Sequence, residues 1–416
     1  MSAKVDGDHL ESSEVIDSPY AWWRLLVSLL IAMVGGIGLW SSVVVLPAIE
    51  AEFNIDRGDA SLPYTATMIG FAIGGLFFGR MTDRYGIVRP LLFGAVMLCG
   101  GYIAISQVSA YWQFVAIQAV MVGMLGSAAS FGPLIADVTH WFLKRRGIAT
   151  AVVASGSYLA GTIWPPILSY ITEAYGWREA HLVIGVVSLV IMLPLIMLMR
   201  RPTPIHAGPK AVSTRPPVRA PLPAPVLQAL LVFAGIACCV AMAMPQVHIV
   251  AYCGDLGHGA VRGAEMLSLM LAMGIVSRLI SGVIADRIGG LGTLILGSTL
   301  QCLALILYIP FDGLTSLYVV SALFGLAQGG IVPSYALIVR EYFPAKEAGA
   351  RVSLVLMATI IGMALGGWLS GAIYDWTGSY QVAFLNGIAW NMVNFAVAFF
   401  LLLHRLKADI PISARG

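Results

Sequence analysis

Charge is what this sequence has least of: Asp, Glu, Lys and Arg make up 11% of its 416 residues, whereas an average soluble domain carries about 25%. So few charges cannot cover a soluble surface of this length, so most of the surface must face lipid. Cysteine is scarce too, with five residues. Cys99, Cys238, Cys239 and Cys302 lie inside apolar runs and Cys253 near a loop, which reads as small buried hydrophobes and not as a disulfide framework. There is no P-loop, no H-E-x-x-H and no G-x-S-x-G. Neither an ATP-driven pump nor a hydrolase is supported, and no catalytic residue, cofactor, metal or nucleic-acid partner is expected. The start of the chain also lacks a basic n-region, because Asp6, Asp8, Glu11, Glu14 and Asp17 stand against Lys4 alone. The apolar run from Trp22 continues for about 24 residues, which predicts a polar tail before a true span and no cleavable signal.

What fills the chain instead is apolar sequence, 59% of it hydrophobic. Stretches of about 20 apolar residues predict twelve spans: 22–46, 62–79, 90–108, 112–137, 147–170, 181–199, 226–251, 263–284, 291–310, 315–338, 350–373 and 381–403. The expected fold is an all-α polytopic membrane protein of two six-helix halves, 22–199 and 226–403, with tails at 1–21 and 404–416. The segment 200–225 carries eight prolines together with Arg200, Arg201, Lys210, Arg215 and Arg219. It reads as a flexible basic linker between the halves.

Positive residues set the expected orientation. With the N-terminus inside, 20 of the 24 Lys and Arg fall in cytoplasmic segments. Arg57, Arg178 and Arg262 fall outside, and Arg278 falls within a span. Both termini and the linker are therefore expected in the cytoplasm, with the chain in the plasma membrane, or the inner membrane of a bacterium.

The halves carry an internal repeat. Gly79-Arg80-Met81-Thr82-Asp83-Arg84-Tyr85-Gly86-Ile87-Val88-Arg89 follows the second span, and Gly282-Val283-Ile284-Ala285-Asp286-Arg287-Ile288-Gly289 follows the eighth. Gly, Asp, Arg and the second Gly recur at one offset of 203 residues. The first glycine of each copy permits close helix approach and the second a tight reversal. Here the chain resembles the major facilitator superfamily, whose signature is G-x-x-x-D-[RK]-x-G-x-[RK]. The first copy matches it through the second glycine and carries its closing basic residue, Arg89, one position later, and the second lacks the last basic residue. The resemblance implies two six-helix halves about a pseudo-twofold axis and transport by alternating access. It also implies a gate on the cytoplasmic side built from Gly79, Asp83, Arg84, Gly86, Arg89, Asp286 and Arg287. Gly70, Gly74, Gly75 and Gly79 recur in the eleventh span as Gly362, Gly366, Gly367 and Gly371. They are expected to give spans 2 and 11 matching smooth faces at one rocking interface, with general membrane packing as the alternative.

Trp141-Phe142-Leu143-Lys144-Arg145-Arg146-Gly147-Ile148-Ala149, continuing to Gly156 and Gly161, resembles the monocarboxylate-transporter signature leading into span 5. The G-x-x-x-G-P-x-x-G-G run of drug:proton antiporters is missing there. Arg278 lies eight residues before Asp286, about 12 Å of helix, so it is expected well inside the bilayer. Its counterpart in the repeat is Gly75, so the scaffold does not require a charge there. A guanidinium suits a carboxylate bidentately, and monocarboxylate transporters carry a substrate-binding arginine in span 8, which Arg278 matches. Bacterial members of that group carry a histidine in a stretch like Val247-His248-Ile249-Val250-Ala251-Tyr252, so His248 is expected to bind substrate or a proton, although it lies several turns further out than Arg278. The aspartate that animal members place one turn before the arginine is Gly274 here, and span 1 has no lysine. Ser127, Ser130, Gln328 and Tyr335 are further substrate-binding candidates, with helix-packing glue as the competing role. The expected function is a monomeric secondary transporter carrying a small organic monoanion in symport with a proton. Its rivals are an exporter of larger amphipathic compounds and a non-transporting membrane sensor.

Overall fold

A computed structural model describes residues 16–201 and 222–409. The expectations for 1–15, for most of the linker and for the last residues fall outside the described part. Eleven stretches are long and apolar enough to cross a membrane. They are α1 (Pro19–Phe53), α2 (Arg57–Tyr85), α3 (Val88–Ser106), α4 (Tyr111–Trp141), α5 (Arg146–Tyr175), α6 (Trp177–Leu198), α7 (Ala224–Asp255), Ala260–Leu307, α10 (Leu314–Tyr342), α11 (Ala345–Thr377) and α12 (Tyr380–Asp409). Ala260–Leu307 is two helices in one, because Gly289 adopts φ 76° and ψ 173° inside it. We call the parts before and after Gly289 α8 and α9. A single glycine makes the whole reversal, and helical geometry resumes at the next residue. With that division the twelve expected helices are all present.

The described residues form two compact units, one of 16–45 and 66–201, the other of 46–65 and 222–409. In lipid, helices associate by close packing of small residues, because the tails are as apolar as the side chains. The first unit is built this way. A 3₁₀ turn at Gly36–Leu39 interrupts α1, and a π turn at Gln118–Met124 with a 3₁₀ turn at Ser127–Ser130 interrupts α4. The interruptions face each other so closely that a Cβ on Gly35 would overlap Ser130 and one on Gly38 would overlap Ser127. In the second unit α10 lies on the backbone of α8, where Gly325 meets the Met270 carbonyl and Gly329 the Gly274 carbonyl.

Spans 2 and 11 do meet, as the matched glycine stripes suggested, with Thr65 Oγ1 donating to the Ala364 carbonyl at 2.8 Å, but the first glycines of each stripe seat their helices on other neighbours. Gly70 and Gly74 seat α2 on the carbonyls of Ala119 and Met124 in α4, while Gly362 and Gly366 seat α11 on those of Ile236 and Val240 in α7. The last two members of the second stripe meet α2: a Cβ on Gly367 would lie 2.9 Å from Tyr64, and one on Gly371 2.8 Å from Gly58. Equal spacing fixes a helix face but not the partner of that face. Apolar side chains cover the outside. Val276, Leu279, Ile280 and Val283 are exposed along one face of α8, the i, i+3, i+4, i+7 stripe of a helix against lipid.

Candidate functional site

Arg278 sits on the side of α8 away from that exposed stripe, since two residues from Val276 is more than half a turn of helix. It is half-buried, and its Nε donates a long hydrogen bond, 3.5 Å, to the carbonyl of Gly329. Gly329 and Gly330 interrupt α10 at this level. A Cβ on Gly329 would lie 2.9 Å from the Arg278 backbone nitrogen, so the glycine lets α10 come close enough to receive the guanidinium.

The other expected substrate residues are engaged elsewhere. His248 is fully buried: its Nε2 lies 2.7 Å from the Gly367 carbonyl and its Nδ1 3.0 Å from the Tyr380 hydroxyl. Tyr335 is buried and donates to Asn394 Oδ1 at 2.6 Å, and Asn394 joins Ser298 and Asn391 in a buried polar cluster. Gln328 accepts from Gln246 Nε2 at 2.6 Å. Ser130 donates to the Ser127 carbonyl at 2.8 Å, and both serines pack against the glycines of α1. The structure thus brings His248 to α11 and α12, Tyr335 to α12, and the two serines to α1, leaving Arg278 with the break in α10.

The repeated motif is realised in the backbone. Gly86 has φ 73° and Gly289 φ 76°, so both copies turn through the left-handed region where glycine carries no Cβ penalty. Asp83, Arg84, Arg89, Asp286 and Arg287 are exposed. The guanidinium groups of Arg84 and Arg89 lie 5.3 and 5.9 Å from the Tyr85 ring centroid. In the second copy Gly290 N–H donates to Glu341 Oε1 at 2.9 Å, tying the turn to α10.

Paired helix bundles with this repeat have known counterparts. The model of the family described as Major Facilitator Superfamily matches residues 28–316 and 285–415. The chain belongs to the Major Facilitator Superfamily. It is therefore a multi-pass membrane protein of a transporter family. Similar superfamily members include the agnestins efflux protein of Paecilomyces divaricatus, 25% identical over 86% of this chain and 81% of that one. Monocarboxylate transporter 13 of Bos taurus is 25% identical over 81% of this chain and 78% of its own length. Among solved structures, the fold is similar to a bacterial homologue of the human lysosomal transporter Spinster in an inward-facing, unoccupied conformation. That match has a TM-score of 0.72 at 14% identity and covers 95% of this chain and 99% of that one.

Two charged centres of this superfamily member escaped the reading of its sequence. Arg24 in α1 is 2% exposed and makes a two-pronged ion pair with Asp137 of α4, both bonds 2.8 Å. Its Nη1 also donates to the carbonyls of Met199 and Arg201, and Trp141 stacks on it at 4.5 Å. Arg57, placed in a loop by hydropathy, is the first residue of α2 and is 6% exposed. It pairs with Asp255 and Glu50 and donates to the Tyr380 hydroxyl. The available signal was depth: Arg24 and Asp137 sit near span ends on the positive-rich side, and Arg57, Glu50, Asp255 and Asp375 near ends on the opposite side. Matching opposite charges of equal depth would have marked both centres.

Proposed function

We propose that this chain is a secondary transporter of a small organic monoanion, coupled to protons and working by alternating access. It stands in the plasma membrane with both termini and the linker in the cytoplasm. The observation that carries the reading is Arg278. A cation at span centre costs roughly 2.5–3.5 kcal/mol on insertion scales and is found facing a cavity, a counter-ion or carbonyls. Here it is turned away from the lipid stripe of α8 and steadied through Nε by the interruption of α10. A guanidinium has five donors, so a carbonyl at Nε is compatible with a carboxylate on the outer edge of the fork. The likeness to a monocarboxylate transporter supports the same substrate class. In this reading Asp83, Arg84 and Arg89, with Asp286 and Arg287, form the gate on the cytoplasmic side.

Uptake into proteoliposomes of labelled carboxylates, with and without a pH gradient, tests the proposal. Arg278→Gln should insert normally and lose carboxylate uptake, and Arg278→Lys should weaken binding because the planar fork is gone. Wild-type affinity in Arg278→Gln would refute the anion anchor.

The similarity to an efflux protein favours a second reading, export of a larger amphipathic compound. Arg278 would then only tune selectivity. In that case the carboxylate panel stays silent, and inverted vesicles accumulate an amphipathic dye in a manner indifferent to Arg278→Gln.

A further inference from the structure

At the positive-rich end of the first unit, a cavity of about 870 Å³ opens between the α2–α3 turn and the ends of α4 and α6. We propose that it is a binding site for a phosphate group, supplied by the headgroup of an anionic phospholipid.

The charge of its wall suits an anion. Arg84, Arg89, Arg200 and Arg201 line it together with His140, against the two carboxylates Asp83 and Asp137. Asp137 is already spent, because Arg24 holds both of its oxygens. Asp83 alone is left to oppose four guanidinium groups. None of the four pairs with a carboxylate among the described residues: Arg84 and Arg89 lie over Tyr85, Arg201 lies 4.9 Å from the ring centroid of Tyr20, and Arg200 reaches Met197 Sδ at 2.6 Å. Contact with a ring face leaves the N–H edges of a guanidinium to other acceptors, and a phosphate meets them with several oxygens at once.

The site is also held in place by the protein's own contacts. The Arg24–Asp137 pair grips the carbonyls of Met199 and Arg201 at 3.3 and 3.1 Å, which fixes the end of α6 where two of the arginines project. Thr82 belongs to the same wall, and its Oγ1 is buried without a hydrogen-bond partner among the described residues. Size and setting fit a lipid headgroup. The volume far exceeds one phosphate, and Ile87, Val88 and Met199 give the wall an apolar part for glycerol and the first acyl carbons. Basic pockets between helices on the cytoplasmic side are where anionic headgroups bind.

The test uses the purified full-length chain in detergent, with thermal unfolding and native mass spectrometry as readouts. Phosphatidylglycerol should raise the unfolding temperature and remain bound, and phosphatidylcholine should do neither. The double variant Arg200→Gln/Arg201→Gln leaves the backbone carbonyls that Arg24 uses, so its unfolding without added lipid should match the wild type. Its affinity for phosphatidylglycerol should fall by about thirtyfold. Arg200→Lys/Arg201→Lys should recover most of that loss and serves as the control for folding. If millimolar sodium phosphate reproduces the shift, and the Gln variant removes it, the site stands and its phosphate comes from a soluble source. A phosphatidylglycerol shift equal in wild type and Gln variant overturns the proposal, as does the absence of a shift with either ligand.

Discussion

Arg57 grips Asp255 from a distance of 198 residues, with Nη1 2.9 Å from Oδ2 and Nη2 3.1 Å from Oδ1. The same guanidinium has Glu50 Oε2 2.6 Å from Nε and donates to the Tyr380 hydroxyl at 2.8 Å. Asp375 approaches the backbone instead, accepting from the amides of Arg57 at 2.9 Å and Gly58 at 2.7 Å. It thereby caps the start of α2 with a negative charge. The end of α1 and the start of α2 are thus held to α7, α11 and α12 through one cation.

Removing that cation should be costly. Arg57→Gln leaves Glu50 and Asp255 facing each other without compensation and should destabilise the chain by about 3 kcal/mol. Asp255 is about a third exposed, so Asp255→Asn should cost about 1 kcal/mol or less. Arg57→Lys should fall between wild type and Arg57→Gln, since one ammonium nitrogen lacks the planar fork with which Nη1 and Nη2 reach Asp255 and Tyr380. Thermal unfolding in detergent checks the order; wild-type stability in Arg57→Gln would mean that the cluster contributes nothing.

His248 and Tyr380 should behave as one group. A carbonyl can only accept, so Nε2 carries the hydrogen that bonds Gly367. Tyr380 accepts from Arg57 and has its own hydrogen for Nδ1. His248→Phe and Tyr380→Phe should each destabilise, and the double variant by less than their sum, with a coupling of about 0.5–3 kcal/mol. Additive losses would mean that the two side chains act independently. Uptake per inserted His248→Gln molecule should keep the wild-type KM, and a large rise in KM would return His248 to the substrate site.

Asp137→Asn should be among the most damaging single changes in the first unit. It leaves a fully buried guanidinium unpaired, a loss of about 3–5 kcal/mol. Arg24→Met with Asp137→Leu should recover much of the stability, because an apolar pair of similar volume needs no counter-charge. The comparison is made on folded yield and unfolding temperature.

Asp83→Asn should cut transport while leaving substrate affinity within a few fold of wild type, because the gate charge acts on conformation and not on the substrate. Unaltered transport would reduce the motif to a turn.

Orientation is checked with single cysteines. Lys4→Cys and Lys210→Cys should resist an impermeant thiol reagent in intact cells and react after permeabilisation. Labelling of either from outside would reverse the topology.

The fold was largely legible because membrane helices are written locally: each span is its own run of apolar residues, and the positive loops follow in order. The turn at Gly86 and Gly289 was legible for the same reason, since a repeat offset needs no tertiary knowledge. Charge partners were not. Arg24 and Asp137 lie 113 residues apart, and only helix packing brings them to one depth. The partners of His248 were not legible either: its residue type and neighbours suggested substrate, and only the packing of α7, α11 and α12 shows both ring nitrogens hydrogen-bonded within the protein. Arg278 stood out in the sequence because a cation within a span is conspicuous wherever it occurs. That Gly329 receives it could not be read: Gly329-Gly330 and Pro333 mark a break in α10, but only helix packing shows that the break faces Arg278.

The membership of residues 46–65 in the second unit bears on splitting the gene. A cut in the linker gives two polypeptides that are not self-sufficient modules. The first carries a hairpin whose seat is elsewhere, and the second leaves Asp255, Asp375 and Tyr380 uncovered. Expressed alone, each fragment presents a raw edge to the quality-control machinery. Expressed together, they have a ready-made docking plug, and reassembly from two genes should depend on Arg57 far more than the intact chain does.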